Sequence, residues 1–217
     1  RGFVGASGKL LWHPTKHTGA ADRAGITRAE CLVTNVVNTQ PLHNDWSQHD
    51  QEVIAHGCAK ALALIAAHPR RLVVALGEQA AALCLTGDPS GALPDSITNI
   101  RGYVFPNAFC GVPTLVAVHP AFTLRNWHPW WATSCWDWQK AARILKAGGY
   151  QAPAVTWEMA DLEWAARSIL ACLDCLAIDV ETSGTGCIAF AGSANHATVF
   201  PGKPAHDHAY EQQIRVL

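Results

Sequence analysis

The sequence predicts an α/β protein: a three-layer sandwich with a central, mostly parallel sheet, followed by the start of a second, incomplete α/β domain. Three observations carry this prediction. Short, continuously apolar runs rich in β-branched residues alternate with longer Ala- and Leu-rich segments between residues 31 and 147, and strands apolar on both faces need helices on both sides. Apolar residues make up 49% of the 217 and charged residues 15%, which allows a substantial core and argues against disorder. The stretch Gly148-Gly149-Tyr150-Gln151-Ala152-Pro153 reads as a linker, after which a new pattern begins.

The elements follow in order. Residues 31–37 (CLVTNVV) form a β-branched run of strand length. Residues 50–67 carry the Ala, Leu and Ile content of a helix that must end before Pro69. Residues 72–76 (LVVAL) read as a buried strand, and Gly77 turns the chain into a helix over 78–86. Residues 114–118 (TLVAV) give a further strand that ends at His119-Pro120, and a helix over 134–147 stops at Gly148-Gly149. The first domain is expected over 1–147, a linker over 148–155 and the second domain over 156–217. In that second domain a helix is expected at 160–171, a strand through 176–181, and strands at 187–191 and 197–200.

Composition limits the function classes. A net charge of −1 gives no molecule-wide field for a polyanion, so contact with phosphate must come from a local patch. The chain opens without a Met, an apolar leader or a run long enough to span a bilayer, and it reads as part of a longer cytoplasmic protein. Eight cysteines are scattered and several sit inside apolar runs, a pattern of reduced thiols rather than of a disulfide framework. Cys172 and Cys175 form a lone C-x-x-C pair, without the second pair or neighbouring His of a metal site.

In parallel sheets the ligand site lies beyond the carboxyl ends of the strands, which directs attention to Asn35 and His119. The Gly-rich opening, Gly2 to Lys9, invites comparison with a phosphate-binding P-loop. Phe3 stands where that motif needs its first Gly, and Leu10 where it needs a hydroxyl, so the reading fails.

Another pattern fits. FVGASGKLL (3–11), AGI (24–26) leading into VTNVV (33–37), PRRLVVALG (69–77), Arg101-Gly102, and VHPAFTLR (118–125) occur in this order. Together they resemble the blocks of the uracil-DNA glycosylase superfamily, specifically its family 4 branch, over residues 1–147. The resemblance implies a glycosylase-like sheet fold, uracil-containing DNA as partner and N-glycosidic hydrolysis as activity. It implies that Phe3 stacks on an extruded base and that the Asn35 amide pairs with the polar edge of uracil. It implies that His119 donates to O2 as charge builds on the leaving base. Pro120 to Arg125 corresponds to the family's loop that enters the minor groove, with Pro120, Leu124 and Arg125 touching DNA.

The family's first block, which positions the attacking water, lies upstream of the Phe3 segment. Many family 4 members carry an iron–sulfur cluster. Thr39 occupies one of its ligand positions and Cys58 lies near another, so a hydroxyl replaces a soft thiolate and a cluster is not expected. The tryptophans at 127, 130, 131, 136 and 138 are unusually dense just after the DNA loop and read mainly as packing residues, with base stacking as the alternative.

The run Leu176 to Glu181 ends in two acids, Asp179 and Glu181, at i and i+2. On a strand that spacing puts both on one face, a disposition suited to Mg²⁺. The segment resembles the first motif of the DEDD 3′–5′ exonuclease domain, RNase H-like in fold, of family A DNA polymerases. That likeness implies fusion to polymerase domains. The alternative function for the whole is a non-catalytic uracil-sensing or DNA-docking module.

Overall fold

The computed structural model describes residue 3, residues 5–39, 45–68, 70–152 and 154 and, further on, 156–159, 177–181, 187–193 and 196–201. The chain divides into two compact units, Arg1–Gln151 and Ala152–Leu217.

The first unit is organised by β3 (Thr114–Ala117), which pairs in parallel with β1 (Val73–Leu76) and antiparallel with β2 (Val104–Phe105). All four residues of β3 are buried, so both faces of this strand must be covered. Leu115 joins Val74 and Leu76 in one cluster with Leu11 of α1 (Ala6–Leu11), Ala20 of α2 (Ala20–Arg23), and Trp138 and Ala141 of α7 (Trp127–Lys146). Val116 joins Val73 and Ala75 in another with Ile65 of α3 (Gln51–Ala66), Ala81 and Cys84 of α4 (Glu78–Thr86), and Ile100 of α5 (Ile97–Ile100). The period-2 alternation of strand side chains therefore sorts the core into two halves around the sheet. Burying each Leu or Val stabilises the fold by roughly 1.5–3 kcal/mol. At the start of α3 the Asp50 side chain accepts from the Glu52 N–H at 2.8 Å, an N-cap in the usual sense.

The helices at 50–67 and 78–86 and the strands at 72–76 and 114–118 appear where the sequence places them, within a residue or two. Three expectations need correction. The sheet of this unit is small and mixed, with three strands among the described residues, rather than mostly parallel. Residues 31–37 run without a ladder partner. Val36 packs instead against Cys58, Ala61 and Leu83, and its carbonyl passes so close to Gly57 that a Cβ there would lie 2.6 Å from it. The segment is thus drawn to α3 and not to the free edge of β1. Lastly, α7 begins at Trp127, well before residue 134. Pro129 falls in its first turn, where a helix has no acceptor for the backbone N–H and proline is tolerated.

The second unit carries β4 (Thr156–Met159), β5 (Ala177–Glu181), β6 (Cys187–Ser193) and β7 (His196–Pro201) in the order β4-β7-β6-β5. β5, β6 and β7 form an antiparallel meander, and β4 adds in parallel to β7. The strands near 177–181, 187–191 and 197–200 match expectation, whereas β4 does not feature in the sequence reading. The expected helix at 160–171 lies outside the described residues, as do Cys172 and Cys175. Among the described residues no helix is long and apolar enough to cross a membrane.

Cys31, Cys58, Cys84, Cys110 and Cys135 are free thiols. Cys110 donates its backbone N–H to the Cys84 carbonyl at 3.0 Å, which brings the two side chains together. A hydrogen bond from the Cys84 thiol, outweighing burial, lowers Cys110 to about 6, while that bond and burial raise Cys84.

One buried ion pair ties the β2 side of the sheet to α7. Arg101 Nη1 donates to Asp137 Oδ1 at 2.7 Å, and Lys140 Nζ donates to the Gly102 carbonyl at 2.6 Å. Asp137 is 3% exposed, and its Oδ2 has no partner among the described residues. Burial raises its pKa to about 6 against the opposing pull of Arg101. Because the folded state then binds this proton more tightly than the unfolded chain, stability should fall as pH rises from about 4 to about 6, by on the order of 3 kcal/mol, and level off above. Thermal or urea unfolding across that range should show the slope in the wild type and a flattened one in Asp137→Asn.

Candidate functional site

Parallel β1 and β3 open their carboxyl ends on the same side of the sheet, where open α/β sheets gather ligands. Gly77 follows β1 and His119 lies two residues beyond β3. Their backbones meet there. Gly77 has φ +93, and a Cβ on it would stand 3.0 Å from His119 Cβ. Only glycine adopts that φ without strain, and only glycine leaves the room the imidazole occupies.

His119 is the N-cap of α6 (Pro120–Arg125), and its Nδ1 accepts the Ala121 N–H at 3.1 Å. An acceptor nitrogen carries no proton, so in the neutral ring the proton sits on Nε2. Burial, reinforced by the nearby Arg125 guanidinium, pushes the pKa of His119 below the ordinary histidine value. The fold therefore presents a neutral imidazole with one defined N–H donor.

Phe3 lies 5.7 Å from the imidazole, centroid to centroid, with the planes tilted by 33°. It holds φ +57, uncommon for an aromatic residue. The chain folds tightly enough behind it that a Cβ on Gly8 would fall on the Phe3 carbonyl. The loop conformation thus rests on Gly8 of the FVGASGK segment. Lys9 of that segment sits in the last turn of α1, which is not the phosphate cradle of a P-loop.

Phe3, Asn35 and His119 line one cavity of about 1280 Å³. It runs between the extended 31–39 segment and the free edge of β1 and reaches Arg70, Arg71 and Lys146 at its far end. Its size exceeds that of a typical small-molecule pocket, roughly 300–1,000 Å³, because residues 31–37 do not close the sheet edge. Asn35 is exposed, and its amide has no hydrogen-bond partner among the described residues. The three residues singled out from the sequence thus line one cavity, and Phe3 and His119 are neighbours within it. Trp12 also lines this cavity, fixed by a bond from its indole N–H to the Ile26 carbonyl at 3.0 Å and by Arg28 over its ring at 5.4 Å. Sequence reasoning missed Trp12 and the role of Gly77. A Gly at a strand end was the one available signal for the latter.

Residues 120–125 form a short helix rather than the loop expected for them. Pro120, at its first position, is buried, whereas Leu124 and Arg125 are exposed. Proline starts a helix well, since its φ is already helical and its missing N–H has no acceptor there. Asp179 and Glu181 lie on β5, in register with Ala189 and Cys187 of β6.

The described residues do not fit an iron–sulfur cluster. Cys58 is buried in an apolar patch with Ala61 and Leu83, and Thr39 offers a hydroxyl. Among the described residues no group of three or more His, Cys, Asp or Glu could hold a metal ion.

The modest total charge conceals an uneven distribution. In the Arg1–Gln151 unit 13 Lys and Arg stand against 9 Asp and Glu, a formal +4, while in Ala152–Leu217 there are 3 against 8, a formal −5. The unit that holds the cavity is the basic one.

The profile of the uracil DNA glycosylase superfamily matches residues 1–146. The chain is also similar to the type-4 uracil-DNA glycosylase of Pyrobaculum aerophilum, 28% identical over 129 residues, which cover 58% of this chain and 60% of that protein. The chain thus spans about 60% of the length of that curated relative.

Gly77→Ala tests the packing behind His119. The substitution adds backbone strain of about 1–3 kcal/mol and a methyl group against the imidazole. Gly148→Ala, at φ +88 with open space around it, carries the strain alone. Urea denaturation should show Gly77→Ala as the more destabilising by about 1 kcal/mol or more.

Proposed function

The chain belongs to the uracil DNA glycosylase superfamily, and from that membership and the cavity geometry we propose that its first unit grips uracil extruded from DNA. The full-length protein would then hydrolyse the uracil–deoxyribose bond in DNA repair. The observation that carries the proposal is the neutral, tautomer-fixed imidazole of His119 at the strand ends.

Cleavage of the N-glycosidic bond leaves negative charge on uracil, much of it at O2. A donor already oriented at that oxygen stabilises charge that exists mainly in the transition state, which is what accelerates a reaction. His119 Nε2–H is that donor. Phe3 supplies a stacking face for the base. The Asn35 amide can donate to O4 and accept from N3–H, a pattern that cytosine does not match. Leu124 and Arg125, both exposed, extend the site toward DNA as a wedge and a phosphate contact, and Pro120 starts the helix that carries them. The chemistry needs a donor and a water, and no redox group.

A second reading, a uracil-sensing or DNA-docking module without turnover, has one observation in its favour. Glu30 is the only carboxylate among the described residues lining the cavity. It is held by the Thr27 N–H at 2.8 Å and the Thr27 hydroxyl at 2.6 Å, so it is engaged away from any attacking water.

For the second unit the proposal is a DEDD-type 3′–5′ exonuclease beginning, fused to polymerase domains in a cytoplasmic protein. Asp179 and Glu181 would hold Mg²⁺. Support comes from two acids on the first strand of an antiparallel meander. Mg²⁺-dependent loss of 3′ nucleotides by the full-length protein, abolished in Asp179→Ala, is the expected result, and nuclease activity untouched by that change would refute it.

Uracil release from single-stranded oligonucleotides by the full-length protein tests the main proposal. His119→Ala should lower the rate by about 10²–10³-fold and cost about 1 kcal/mol of stability through the lost cap. Asn35→Ala should narrow the preference for uracil over cytosine. Because His119 must be neutral to keep Nδ1 as an acceptor, the wild-type rate should hold through neutral pH and fall only below the ordinary histidine range. Release indifferent to both substitutions would overturn the site, and no release in the wild type would leave the docking module.

A further inference from the structure

The tryptophan cluster at the start of α7 is not used by the reaction. Trp127 and Trp131, one helical turn apart, stack with centroids 5.0 Å apart and planes within 9°. The Arg23 guanidinium from α2 lies over the Trp131 ring at 5.9 Å. Trp131 is partly buried against the core below, while Trp127 is 41% exposed. The result is a rigid aromatic ledge anchored from beneath, with a flat surface left in solvent.

The charge of the neighbouring segments points to its occupant. No Asp or Glu occurs in residues 1–21 or 96–136, the segments that supply α1, α6 and the first half of α7. Lys9, Lys16, Arg23 and Arg125 fall in or beside them. The nearest acid in sequence to Arg23, Asp22, has its Oδ2 committed to the His13 N–H at 2.7 Å and the Gly19 N–H at 3.1 Å. Flat aromatic faces among unopposed cations match a chain of bases on a phosphate backbone. Helix α6 and the non-helical Asn126 separate His119 from Trp127 along the chain, so the ledge belongs to the segment that directly follows the candidate site.

We propose that the Trp127–Trp131 stack, with Arg23, is a stacking site for a base of single-stranded DNA flanking the one held at His119. The position of that base relative to the pocket rests on the proposed uracil function, whereas binding of a uracil-free strand does not. The division of labour is physical: His119 and Asn35 read one extruded base, and the ledge holds an unpaired neighbour without regard to its identity. Such a contact would favour single strands, because duplex bases are already stacked on one another.

The test uses the 217-residue chain and a fluorescently labelled oligo-dT 12-mer, followed by anisotropy at low salt. Trp127→Ala should weaken binding by about 5- to 150-fold, and Trp127→Phe, which keeps a ring, should recover much of the loss. Trp136→Ala, at an exposed α7 position outside the stack (59% exposed), should bind as the wild type does. Circular dichroism of each variant separates lost binding from lost folding. Equal binding by Trp127→Ala and wild type overturns the proposal, as does an equal loss in Trp136→Ala or a preference for duplex that ignores Trp127. If Trp127→Ala weakens oligo-dT binding while the full-length protein releases no uracil, the ledge stands and the glycosylase reading falls. If uracil is released and Trp127→Ala changes nothing, the reverse holds.

Discussion

Everything in the first unit depends on a strand that water cannot reach. Thr114, Leu115, Val116 and Ala117 are at most 2% exposed, and a strand buried on both faces forces a helical layer on each. One layer is α1, α2 and α7, the other α3, α4 and α5. Polar chemistry has no place along such a strand and collects where the strand stops. That is why His119, just past β3, and Gly77, just past β1, share one corner of the unit.

The legible part of this arrangement was the part written in local apolar pattern. The runs at 72–76 and 114–118 and the helices at 50–67 and 78–86 declare themselves because burial on two faces, or on one stripe, leaves a periodic trace. Phe3, Asn35 and His119 were legible as a set through their order along the chain. What stayed hidden depends on partners far apart in sequence. Residues 31–37 look like any buried strand, yet the close approach of Val36 to Gly57 decides against the ladder. Nothing near Asp137 announces that it faces Arg101 with one oxygen unpaired. Nor did the pattern show that α7 reaches back to Trp127, with Pro129 in its first turn.

Charge shows the same limit in another form. A total of −1 argued against a nucleic-acid field, but the sum averaged a basic unit with an acidic one. Phosphate attraction acts over about a Debye length, ~8–10 Å in physiological salt, so the field a DNA strand meets is that of the face it approaches. A stretch from residue 96 to 136 without a single acid says more about partners than the whole-chain figure. That acid-free stretch carries both His119 of the cavity and the tryptophan ledge, with Arg125 between them in the chain.

The N-cap role of His119 has an evolutionary consequence. Its two ring nitrogens serve different masters: Nδ1 caps a helix, while Nε2–H is the donor that the proposed reaction uses. Residues such as Asn, Asp or Ser satisfy the helix equally well without offering the same donor. Under the proposed reaction, a lineage could therefore lose the donor through one codon while the helix keeps its cap. Selection for an intact fold alone would not guard the chemistry here, so the identity of residue 119 among descendants would record whether catalysis itself was ever under selection.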